Sequence, residues 1–211
     1  MTEKKILPEP WLSVYTERKE AILQRLEDFS QIPTEEYFYE LLFCILTPQS
    51  HAKNADAVIG KLKDDKFFEK GFDPVPYLRD PKHYIRFHNV KSKRLLHIRE
   101  VYPQLYPILQ NERGNITKLR ETVLKMIPGL GLKESSHFLR NIGVQGLVIL
   151  DRHILKHLKE LKIISKIPTS LTPKRYFAID KKWLKYSKEV GISMDELDLL
   201  FWSMETGEIR K

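Results

Sequence analysis

Apolar residues recur at helical spacing along almost the whole chain, and sustained strand-like alternation is absent. Val14, Ile22, Leu26 and Phe29 fall on one face of a first helix, and Phe38, Leu41, Leu42 and Ile45 follow at i, i+3, i+4, i+7 in a second. The same spacing predicts helices over roughly 51–64, 92–109, 116–126, 133–142, 151–163, 173–189 and 193–204. Proline and glycine signals separate them, at Pro33, Gly71–Pro76, Pro81, Gly114, Pro128–Gly131 and Pro168. The fold class this leaves is all-α. At 211 residues and 42% hydrophobic content, the chain suits one or two packed domains and is too apolar for disorder.

Several function classes drop out on composition. The longest apolar runs, Leu41 to Leu46 and Gly146 to Leu150, are far shorter than the ~20 residues of a membrane helix, so no membrane partner is expected. The N-terminal MTEKKILPEPW has no apolar core of a secretory leader, and a cytoplasmic location is the expectation. Cys44 is the only cysteine, which excludes a disulfide framework, a four-cysteine iron–sulfur cluster and a zinc ribbon. His153 and His157 stand at i, i+4, but without an HExxH glutamate or a nearby third ligand they do not make a zinc site. No cofactor is expected.

Positive charge is concentrated. Residues 152–188 hold 11 Lys+Arg against 2 Asp+Glu, a net of +9, whereas the whole chain carries +8. A second stretch, Lys82 to Arg99, has six Lys+Arg and no acid. Such segments suit a polyanion, most often nucleic acid, and they also suit a solvated lysine-rich face.

Four of the nine glycines, Gly129, Gly131, Gly143 and Gly146, fall within 18 residues, the first two inside Met126-Ile-Pro-Gly-Leu-Gly-Leu-Lys133. Pro128 ends one helix, the glycines allow a tight turn, and Lys133 or Glu134 opens the next helix. The first-turn N–H groups of that second helix then face outward as a seat for phosphate. Eighteen residues after Lys133 a short apolar run delivers Asp151, in Val148-Ile-Leu-Asp-Arg-His-Ile154, to the start of another helix, where a carboxylate also suits an N-cap.

These residues resemble the helix–hairpin–helix DNA glycosylases, the superfamily of endonuclease III and 8-oxoguanine glycosylase. Pro128, Gly129, Gly131, Lys133 and Asp151 match its hairpin and its downstream aspartate. LLFCILTPQS with Gln49, and HNVKSKRL, resemble two further family segments, so the likeness runs from about residue 38 to the end. The C-terminal Trp202-Ser-Met-Glu-Thr-Gly-Glu-Ile-Arg-Lys211 is similar to that of the second, archaeal-type class of 8-oxoguanine DNA glycosylase/AP lyases.

The resemblance implies two helical domains with a DNA-binding cleft between them: residues 1–33 with 152–211, and a six-helix barrel over 34–151 that includes the hairpin. It implies a monomer acting on double-stranded DNA that contains oxidised guanine, both releasing the base and cutting the strand. Lys133 would be the nucleophile and Asp151 the carboxylate that stabilises the sugar cation and accepts a proton. An ammonium is no nucleophile, so Lys133 can act only as the neutral amine. Phe87 and Trp202 would flank the extruded base, and the terminal carboxylate of Lys211 would read the guanine edge. Gln49, Gly129 and Gly131 would contact DNA, and the carbonyls of Lys125, Ile127 and Leu130 are those the superfamily uses for a monovalent cation. Two rivals stay open: an oxidised-pyrimidine glycosylase of endonuclease III type without its iron–sulfur cluster, and a non-catalytic helix–hairpin–helix DNA-binding module.

Overall fold

The computed structural model describes residues 5–209, which form helices joined by turns, with no strand among them. They divide into two compact units. One gathers both ends of the chain, up to Gln31 and from Leu139 onward; the other is Ile32–Phe138. The first element is α1 (Trp11–Ser30), and a 3-10 turn (Thr34–Glu36) opens the central unit. There follow α2 (Tyr37–Leu46), α3 (Ala52–Asp64), two single-turn helices, α4 (Phe67–Lys70) and α5 (Val75–Leu78), α6 (His88–Asn111) and α7 (Ile116–Met126). Next come α8 (Leu132–Asn141), in which the division falls, α9 (Arg152–Glu160), α10 (Pro173–Val190) and α11 (Met194–Thr206).

Every residue of α2 is buried, Glu40 included, as suits a helix apolar at nearly every position, and it forms the spine of the central unit with α3 and α6 against it. The spacing predicted most of these helices to within a few residues. It gave no sign of α4, α5 or the 3-10 turn, because a single turn has no periodicity to read. It also started α6 four residues late, since His88 to Lys91 carry mainly polar side chains. Pro103 and Pro107 lie inside α6 without breaking it. They are four residues apart on its exposed face, where the carbonyls that lose a partner can turn to water, while Tyr102, Leu105 and Leu109 bury the opposite face.

In the terminal unit α11 is central, packing on α1, α9 and α10. Side-chain caps fix the helix starts. Thr172 caps α10 ahead of Pro173, and Ser193 and Glu196 form a capping box on α11. Residues 139–151, expected with the barrel, cluster instead with the chain ends. Buried Arg140 pairs with Asp198 of α11 at 3.1 Å and lies over the Phe29 ring of α1. Gly146 N–H donates to Asp195 at 2.8 Å, and the Tyr176 hydroxyl of α10 donates to the Val148 carbonyl. Gly143, at φ +84°, admits the α1 backbone so closely that a Cβ would stand 2.9 Å from the Ser30 Cα.

His157, on the inner face of α9, is buried and accepts a hydrogen bond at Nδ1 from the Trp11 indole at 2.8 Å. Burial holds its pKa below the ordinary histidine value, so the folded chain keeps it neutral where the unfolded chain takes up a proton. That contribution to stability is complete above the ordinary value and is lost as pH falls through it. Thermal melts should therefore show Tm dropping from pH 7.5 to 5.5. His157→Gln should flatten part of that slope; a slope identical to wild type would mean that His157 does not contribute to it.

Candidate active site

The hairpin between α7 and α8 is anchored by Ile127 and Leu130, both buried, and it exposes Pro128, Gly129 and Gly131. Leu130 N–H closes the turn on the Ile127 carbonyl at 3.2 Å, which leaves that carbonyl a lone pair for a ligand, so it fits the cation site implied with Lys125 and Leu130. Gly129 sits at φ +89° beneath the Arg94 guanidinium of α6; an added Cβ would lie 2.2 Å from Arg94 Cζ. Beside it is a depression of about 300 Å³ lined by Asn89, Val90, Lys93, Arg94, His97 and Pro128. The first-turn amides of α8 have no carbonyl of their own helix to bond, so the exposed end of the hairpin can receive an anion. Lys133 stands in that turn, about one third exposed, with Glu134 Oε1 3.7 Å from its Nζ.

Asp151 is the N-cap of α9. Its Oδ1 accepts the N–H groups of His153 and Ile154 at 2.8 and 2.9 Å, and its Oδ2 accepts the indole N–H of Trp202 at 2.9 Å. The cap that the sequence suggested is present, and it takes only one of the two oxygens. One turn further along α11, Glu205 faces His153 at 3.3 Å, Lys156 at 2.6 Å and His157 at 3.2 Å. The i, i+4 histidine pair thus turns to a carboxylate on the neighbouring helix. Trp202 and Glu205, two members of the C-terminal motif, both bond to α9 or its cap, and Gly207 at φ +77° ends α11 just beyond them.

Gln49 and Phe87 lie in adjoining turns of the central unit and are exposed, Phe87 by 53%. Both adopt the left-handed backbone region, at φ 59° each. The Arg86 guanidinium lies 5.6 Å above the Phe87 ring. Between the turns is Lys91, only 3% exposed, whose Nζ donates to the carbonyls of Leu46 and Pro48 at 2.7 Å each and to Ser50 Oγ at 3.3 Å. Burial, then the charges of Arg94 and Arg86, push the Lys91 ammonium down to about 8.

The central unit thus brings together Gln49 and Phe87, and it holds Gly129, Gly131 and Lys133 on one hairpin. The terminal unit brings together Asp151 and Trp202. Lys211 lies outside the described residues. Within the basic stretch 82–99, Lys82, Arg86 and Lys93 are exposed, whereas Lys91 faces inward and Arg99 donates to the carbonyls of Phe68 and Glu69. The roles of Lys91 and Arg94 escaped sequence reasoning, which counted them as part of a basic face. The available signal was register, for Lys91 shares the buried face of α6 with Leu95, Ile98 and Tyr102.

A glycine hairpin with a lysine in the first turn after it, in an all-helical chain, defines the helix–hairpin–helix class of DNA-acting proteins. The family model of 8-oxoguanine DNA glycosylase matches residues 22–192. The chain belongs to that family. A Fusobacterium nucleatum protein named 8-oxoguanine DNA glycosylase/AP lyase is 40% identical over 207 residues, covering 94% of each chain. One of the same name from Korarchaeum cryptofilum is 34% identical, covering 92% of this chain and 91% of its own. The crystal structure of the Methanocaldococcus jannaschii 8-oxoguanine DNA glycosylase aligns with a TM-score of 0.82 at 29% identity, covering 95% of both chains. A second structure from that organism, in complex with a 15mer DNA containing 8-oxoguanine, aligns at 0.79 with 28% identity, covering 94% and 98%.

Trp202→Phe keeps an aromatic ring, though a smaller one, and deletes the donor to Asp151. Loss of one hydrogen bond to a charged acceptor should cost about 1–3 kcal/mol, visible as a lower midpoint in urea unfolding. An unchanged midpoint would mean that the bond contributes nothing net to folding.

Proposed function

We propose that this protein is a bifunctional DNA base-excision enzyme, an 8-oxoguanine DNA N-glycosylase that also cleaves the strand at the abasic site it makes. The observation that carries this reading is the match to relatives named 8-oxoguanine DNA glycosylase/AP lyase, which spans 92–94% of the chain. Of the three functions that the sequence left open, that name selects the first. We place its work in the cytoplasm, as a monomer on double-stranded DNA containing oxidised guanine. Among the described residues no helix is long and apolar enough to cross a membrane.

In this reading the damaged base leaves the stack to be reached. Gln49 enters the gap, and the exposed Phe87 ring stacks on the extruded base. Trp202 contributes its ring to the base and its N–H to Asp151, and the Lys211 carboxylate meets the N–H edge of the guanine. The hairpin amides around Gly129 and Gly131 seat a phosphate, helped by a monovalent cation where the carbonyls of Lys125, Ile127 and Leu130 hold one.

Lys133, as the neutral amine, attacks C1′ of the nucleotide. The N-glycosidic bond breaks, its electron pair leaving with the base, and the sugar ring opens to a Schiff base between Nζ and C1′. Loss of a C2′ proton then expels the 3′ phosphate by β-elimination. The Asp151 carboxylate stabilises positive charge as it develops on the sugar and takes the proton that Lys133 must shed. Its hydrogen bonds fix its direction before substrate arrives, so no reorganisation is needed at the moment of reaction.

Lys133→Gln should abolish both strand cutting and borohydride trapping on an 8-oxoguanine duplex while leaving the affinity for that duplex nearly intact. Asp151→Asn should slow base release by roughly a hundredfold or more, a loss on the order of 3 kcal/mol of transition-state stabilisation. Trapping retained in the Lys133 variant would move the nucleophile to another amine.

A further inference from the structure

Left-handed backbone is unusual at a bulky residue such as Phe87, and it persists only where the surroundings over-determine it. Here one residue holds both strained turns. Lys91 lies in the first turn of α6, and its backbone N–H donates to the Phe87 carbonyl at 2.9 Å. Its side chain runs inward and caps the far turn, bonding the carbonyls of Leu46 and Pro48 before Gln49 and the hydroxyl of Ser50 after it. Ser50 Oγ in turn accepts the N–H of Arg86, the neighbour of Phe87, at 3.1 Å. Asn54 adds a third tie, donating to the Tyr84 carbonyl at 3.1 Å.

An ammonium is a costly choice for this place. It is stripped of water and stands near two arginines, where an apolar residue would carry no desolvation penalty. Only a donor with several hydrogens, however, can satisfy three converging oxygens at once. The need is geometric: the exposed side chains of Gln49 and Phe87 belong to separate turns, and the spacing between them is set by what lies behind them.

We propose that Lys91 is a positioning residue that fixes the spacing of Gln49 and Phe87, and thereby the step in which a base is drawn out of the duplex. The inference rests on the reading above, in which those two residues engage the gap and the extruded base. It predicts that Lys91 acts on extrusion and has no part in bond breaking at an abasic site, where no base has to be moved.

The test compares Lys91→Met and Ser50→Ala with Gln49→Ala and Phe87→Ala in the full-length protein. Each variant is measured for single-turnover excision of 8-oxoguanine, for strand cutting at a pre-formed abasic site, and for fluorescence of 2-aminopurine placed beside the lesion as a report of unstacking. Lys91→Met should lose about tenfold or more in excision, with a weaker fluorescence rise, and should keep abasic-site cutting within about twofold. Ser50→Ala removes one acceptor and the Arg86 tie, and should show the same pattern to a smaller extent even if Lys91→Met folds poorly. Equal losses in excision and abasic-site cutting, or no loss in either variant, would overturn the proposal. If Gln49→Ala and Phe87→Ala excise at the wild-type rate, the role given to those two side chains fails first. If they are impaired while Lys91→Met and Ser50→Ala are not, that role stands and the positioning inference alone is wrong.

Discussion

The carboxylate of Asp151 accepts three hydrogen bonds, two from the first turn of α9 and one from the Trp202 indole, and the organisation of the terminal unit follows from keeping that group in place. A carboxylate at an N-cap faces the positive end of the helix dipole, so the position that starts the helix also orients the charge. The Trp202 bond joins α11 to the start of α9. Glu205, one turn on, ties the same two helices through His153 and Lys156. The proposed catalytic role uses a group already immobilised for reasons of folding. That economy is available because a cap needs one oxygen, leaving the other to be directed by a side chain from elsewhere in the unit.

The central unit applies the same logic with the opposite charge. Lys133 is placed by the start of α8, on a hairpin whose tightness depends on Gly129 accepting φ +89° and the Arg94 guanidinium lying across it. Lys91 is placed by the start of α6 but points inward, where it meets carbonyls instead of solvent. Two lysines in the first turns of two helices thus differ in surroundings: Lys133 is about one third exposed, as its proposed role requires, and Lys91 is buried behind the turns of Gln49 and Phe87.

Much of this was legible in the sequence because helices announce themselves by period and their starts by residue type. The 3.6 spacing located the long helices, and Pro128, Gly129 and Gly131 marked the hairpin because few other residues tolerate that turn. Asp151 could be recognised as a cap from an apolar run ending in a carboxylate. What stayed hidden involves direction and long-range pairing. Nothing local to Trp202 says that its N–H will meet Asp151, 51 residues away in the chain. The grouping of 139–151 with the chain ends depends on the buried Arg140–Asp198 pair, whose members are 58 residues apart. Lys91 was counted as surface charge because composition cannot distinguish an inward lysine from an outward one, although its register with Leu95 and Ile98 placed it on the buried face.

The central claim is that the amine of Lys133 forms the covalent bond to the damaged nucleotide. Its most direct test is borohydride reduction of the protein on an 8-oxoguanine duplex, followed by proteolysis and mass spectrometry of the adduct. The account predicts a single sugar-modified peptide with the mass increment on Lys133. An increment on any other lysine, or on the N-terminal amine, would contradict it.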